Sequence, residues 1–113
     1  LSASDDTPTL LFFHHTLGEG DGDLLDAPRL FDIVRPASKV KALVFGHSHA
    51  YGYAKLEGIH LINLPATGYN FNDVQAVGWV EARLTAGGAE FVLHSVGGNT
   101  AVDGQTKTLQ WRS

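Results

Sequence analysis

The sequence predicts a mixed α/β domain that starts as a strand–helix–strand unit and runs on into an antiparallel β-meander. Two short apolar runs, "PTLLFF" at 8–13 and "KALVFG" at 41–46, flank a stretch with helical periodicity. Further along, "QAVGWVEARLT" at 75–85 and "EFVLHSV" at 90–96 alternate between apolar and polar positions, which is the period of a half-buried strand.

In chain order, residues 8–13 form a buried strand, bounded before by Asp5, Asp6 and Thr7 and after by His14 and His15. Glycine and acidic residues dominate 16–26, which makes that segment a loop. A helix follows over 27–35: Asp26 caps it, Pro28 is tolerated in its first turn, and Ala27, Leu30, Phe31 and Val34 recur at helical spacing. Pro36 ends it. The second buried strand, 41–46, then lies parallel to the first through a right-handed crossover. "GIHLINL" at 58–64 is a further strand, and "PATGYNFND" at 65–73 is turn-rich. Around the turn "AGGA" at 86–89, the two alternating segments make a hairpin, with Trp79, Glu81 and Arg83 on one face and Val80, Ala82 and Leu84 on the other. A last strand lies in 107–111.

Composition narrows the function classes. The 113 residues contain no cysteine, so disulfides and thiolate metal sites are excluded. A formal net charge of -4 without a basic cluster leaves no grip for nucleic acid. No apolar run approaches the roughly 20 residues that span a bilayer, and the first ten residues do not read as a signal peptide, so a soluble protein is the default expectation. The chain opens on Leu1 and has no methionine, from which we expect a piece of a longer protein whose site is incomplete here.

Chemistry concentrates in the six histidines. Both "FFHH" and "VFGHSH" stand where an apolar strand ends, and in α/β sheets ligands bind at that end of the strands. If the two strands are neighbours, both histidine groups emerge at one edge. Neutral imidazole is a common ligand for zinc, iron and manganese and needs no thiolate help. His14 and His15, being adjacent on an extended chain, point to opposite faces and do not share an ion. Gly46 and Ser48 leave room for a tight turn that aims His47 and His49 into one pocket. His60 and His94, each isolated in a strand pattern, read as surface or sheet-face residues. Glu19, Asp21 and Asp23 belong to a solvated loop that could line an entrance, and Tyr51, Tyr53, Tyr69 and Asn70 either pack in the core or at the rim or hold a leaving group.

"LLFFHHTLGEG", followed about thirty residues later by "ALVFGHSHAYGY", resembles the C-terminal half of the calcineurin-like metallophosphoesterases, over residues 8–70. The resemblance implies an α/β/β/α sandwich of two mixed sheets around a dinuclear metal centre, of which residues 1–113 would be the C-terminal portion, supplying one sheet and its covering helix. It implies His14 and His47 as ligands of one metal and His49 as a ligand of the other, with His15 a non-ligand follower and Thr16 standing where the family often has proline. The cofactors it implies are two divalent or transition metal ions, manganese, iron or zinc. An Asp-any-His pair, a Gly-Asp aspartate and a Gly-Asn-His asparagine precede these motifs in the family and are absent from this chain. Since the family's proton-transferring histidine belongs to the absent Gly-Asn-His motif, the chain alone should not be competent.

The expectation is therefore metal-dependent hydrolysis of a phosphomonoester or phosphodiester, shared with a missing N-terminal half or with a second copy docked on an exposed sheet face. The alternative is a non-catalytic scaffold on the same fold. A cupin-type single-metal barrel would need a glutamate where Tyr53 and Ala54 stand, and ranks last.

Overall fold

The computed structural model describes residues 5–14, 27–68 and 74–113. Strands β1 (Thr9–Phe12), β2 (Val40–Phe45), β3 (Gly52–Leu56) and β4 (Ile59–Asn63) form one sheet in the order β1-β2-β4-β3. β1 and β4 both run parallel to β2, and β3 returns antiparallel to β4. Strands β5 (Ala76–Leu84), β6 (Gly88–Gly98) and β7 (Thr106–Gln110) form a second, fully antiparallel sheet in chain order.

Helix α1 (Ala27–Val34) joins β1 to β2. It buries Val34 and half-buries Leu30 and Phe31 against Val40, Leu43, Phe45 and Ile59. That is the apolar stripe that helical spacing selects. Proline at position 36 has no N–H to continue the ladder, and the helix closes with Arg35 N–H on the Phe31 carbonyl. The Asp26 cap lies outside the described residues, as do His15, Thr16, Glu19, Asp21, Asp23, Tyr69 and Asn70.

All six residues of β2 are buried because both of its faces are covered. Leu43 and Phe45 meet the helix, while Ala42 and Val44, with Ile62, pack on Ala89, Phe91 and Leu109 of the second sheet. The chain thus stacks helix, sheet and sheet, in agreement with part of an α/β/β/α sandwich. One expectation is corrected: the chain supplies strands of both sheets, not a single sheet and its helix. The meander's alternating apolar residues fold back over the first sheet and cover it, so that sheet's inner face is not left bare. Exposure remains at Phe12 on β1 (70 %) and Leu84 on β5 (58 %).

β3 was not expected. It is joined to β4 by the two-residue turn Glu57–Gly58, in which both residues are left-handed (φ 52° and 83°), the geometry of a tight hairpin. Gly78, beside the register shift in β5–β6, could not carry a side chain, because a Cβ there would lie 1.9 Å from the His94 carbonyl oxygen. No helix among the described residues is long and apolar enough to cross a membrane.

Candidate functional site

Parallel pairing of β1 with β2 extends past both strand ends: Phe13 N–H donates to the Val44 carbonyl (3.0 Å) and Gly46 N–H to the His14 carbonyl (3.0 Å). This carries His14 and the turn 46–49 to the same edge. His14 Nε2 and His47 Nδ1 stand 3.1 Å apart, and the two rings meet edge to face with centroids 5.0 Å apart. His14 and His47 are exposed and His49 is half-buried.

The turn itself is strained. His47 (φ 77°) and His49 (φ 60°) both occupy the left-handed region, where a residue with a Cβ pays about 1–2 kcal/mol. Such conformations persist only where surrounding contacts impose them, and they cluster at functional sites. One of those contacts is the Asn63 side-chain amide, which donates to Ser48 Oγ between the two histidines. Leu64 N–H, bonded to the Phe45 carbonyl (2.7 Å), fixes the neighbouring chain.

The three histidines border an open cavity of about 550 Å³ whose other walls are mainly apolar, including Phe12, Phe13, Leu64 and Pro65. Thr67 adds a hydroxyl to the rim. Among the described residues, no group of three or more His, Asp or Glu side chains converges as a metal cage. His14 and His47 are brought together, whereas His49 faces the same cavity from the far end of the turn.

The remaining candidates lie elsewhere. Tyr51 packs on the core between the sheets, and that burial raises its phenol above the usual range. Desolvation likewise raises Tyr53, whose hydroxyl meets His60 Nδ1 at 2.6 Å and whose ring lies under Lys107 Nζ. Neither tyrosine lines the histidine cavity. His60 is a sheet-face residue buried between the sheets (2 % exposed), and His94 stacks on Trp79 on the outer face of the second sheet. Sequence reasoning missed Asn63. The available signal was a lone amide closing the apolar strand "IHLIN".

Fold and site together define a layered α/β chain with imidazoles gathered at the carboxyl ends of two adjacent parallel strands. No protein-family model and no curated protein matches it. Among solved structures it is similar to a single-substitution variant of Vps29 from Entamoeba histolytica, with 16% identity over 74% of this chain and 47% of that one and a TM-score of 0.47. It is also similar to wild-type Vps29 of the same organism in complex with zinc, with 16% identity over 78% of this chain and 46% of that one and a TM-score of 0.42. The chain spans less than half the length of either structure.

Proposed function

We propose that this chain carries part of the metal site of a phosphoester-hydrolysing domain, with His14 and His47 on one ion and His49 on a second. The observation that carries this reading is the 3.1 Å separation of His14 Nε2 and His47 Nδ1. Two imidazole nitrogens bound at about 2.0–2.1 Å to one ion stand roughly 2.9–3.4 Å apart, depending on the angle between the bonds. The donor set fits: imidazoles without thiolate suit zinc, iron or manganese. A pair of such ions activates water and neutralises charge on a phosphoryl group. The role of this chain's residues is to hold and space the ions; none of its described side chains is placed to transfer a proton to a leaving group.

The rest of the ligand set comes from a segment beyond these residues or from a second copy of the chain. Alone, the chain binds metal without turning over a phosphoester.

The alternative is a non-catalytic platform for protein partners. It is favoured by the absence of a third converging ligand among the described residues and by the exposure of Phe12 at the cavity rim. Manganese-dependent hydrolysis of a generic phosphomonoester and a generic phosphodiester, measured on this chain and on the longer gene product, separates the two. Activity in the longer protein alone, lost on His47→Ala, supports the enzyme. No hydrolysis and no bound metal in either protein overturns it in favour of the platform.

A further inference from the structure

The turn at Gly46–His49 holds a conformation that is costly for residues with side chains. Two residues with side chains sit in the left-handed region within three positions, each at a cost of about 1–2 kcal/mol, so contacts with the surrounding chain must impose the turn. Backbone hydrogen bonds hold its entry at Gly46. The middle residue, Ser48, is exposed, and its hydroxyl is bonded to the amide of Asn63. Asn63 is well placed to anchor it. It is the last residue of β4, paired in register with Phe45 on one side and Gly52 on the other, so its backbone is fixed by both neighbours. Its amide oxygen is buried and makes no hydrogen bond among the described residues. The Ser48 hydroxyl can both donate and accept, so the link exists whichever amide atom faces it. A strand-ending asparagine kept beside a strained turn, with half its amide unsatisfied, is costly for packing alone.

We infer that Asn63 is a positioning residue: through Ser48 it holds the Gly46–His49 turn in the left-handed conformation that sets His47 against His14. The consequence for metal binding rests on the function proposed above; the positioning itself does not. Partners that orient metal ligands from outside typically contribute 10–100-fold in affinity.

The test uses the 113-residue chain with two readouts. The first needs no metal: a nuclear Overhauser contact between the His14 and His47 rings, present in the wild type and lost in both Asn63→Ala and Ser48→Ala, but kept in Ser48→Thr, which retains the hydroxyl. The second is titration with Co²⁺ followed by its visible absorption, where the two alanine variants should bind about 10–100-fold more weakly and Ser48→Thr like the wild type. The double alanine variant should bind no worse than either single one, because both remove the same link. Ser48→Ala touches only an exposed side chain, so it decides the matter even where Asn63→Ala disturbs the sheet. Ring contacts that survive in Ser48→Ala overturn the inference. A wild-type chain that shows the ring contact and binds no cobalt overturns the metal reading and leaves the positioning standing.

Discussion

At the scale of single residues, histidine serves different ends among the described residues, and the ring-nitrogen partners of His60 and His94 tell two of them apart. His60 Nε2 lies 2.6 Å from the Gln110 carbonyl, which can only accept, so that nitrogen carries the proton and Nδ1 accepts from the Tyr53 hydroxyl. Both nitrogens are satisfied within the protein, which is how a lone histidine becomes a core residue joining β4, β3 and β7. His60→Leu keeps the bulk but strands the Gln110 carbonyl and the Tyr53 hydroxyl, and should cost about 1–3 kcal/mol in urea unfolding, with His60→Gln recovering part of it. His94 works on the surface. Its hydrogen bond to Glu81, followed by the hydrogen bond and the charge of Arg83, holds the Glu81 carboxyl below its usual value of 4.5. A carboxyl depressed on folding stabilises the fold above its unfolded pKa and loses that effect as pH falls through the lower folded value. The melting temperatures of wild type and Glu81→Gln should therefore differ at pH 7 and converge as the pH drops below about 4.5; a gap that stays constant down to pH 3 contradicts the assignment.

One side chain joins elements that strand pairing leaves unconnected. Arg112, just past β7, donates from Nε, Nη1 and Nη2 to the carbonyls of Val40, Arg35, Val34 and Ala37, at 2.8–3.1 Å. These carbonyls lie at the end of α1 and the turn into β2, where those of Val34 and Ala37 also accept from the backbone N–H groups of Ala37 and Val40. Its own carbonyl accepts from Lys41 Nζ at 2.7 Å. Arg112→Ala should cost about 1.5–3 kcal/mol and speed amide exchange in the last turn of α1, and Arg112→Lys should recover little, since an ammonium cannot span the fork. How much of this was legible in the sequence follows from what periodicity reports. The helix from Ala27, the β1 and β2 runs and the β5–β6 hairpin all announced themselves through apolar spacing. β3 did not, because Tyr53, Ala54, Lys55 and Leu56 are all exposed and leave no alternation, and its one signal was the Glu57–Gly58 turn. The adjacency of His14 and His47 was legible from two strand ends of a strand–helix–strand unit. The Asn63 tether was not, because an asparagine after an apolar run reads equally well as the start of a turn.

At the scale of the whole molecule, alternation shows that a strand has a buried face without showing what buries it, which is why the second sheet's return over the first was not foreseen. That return makes β2 common to two clusters: Ala42 and Val44 belong to the core between the sheets, Leu43 and Phe45 to the core beneath α1. Opening either cluster strips one face of the strand on which the other cluster rests. The two sheets should therefore unfold as one unit, although among the described residues their backbones are joined chiefly by the bridge of Ala66 with Val77, where the Gly78 N–H donates to the Ala66 carbonyl. A Trp79→Phe variant leaves Trp111 as the sole indole, packed against the core between the sheets, so its fluorescence follows that interface while far-UV circular dichroism follows all the strands. The two urea transitions should coincide, with one midpoint. Phe91→Ala, which empties the centre of the interface, should lower that common midpoint by the equivalent of about 3–5 kcal/mol, a large part of the 5–15 kcal/mol that holds an ordinary domain together. The His14–His47 ring contact should be lost in that same transition, because the strand ends that carry those rings extend from the sheet the interface supports. An early fluorescence transition, with the ring contact intact and the dichroism unchanged, would mean that the first sheet and α1 stand alone and that the second sheet is only an appendage to the site.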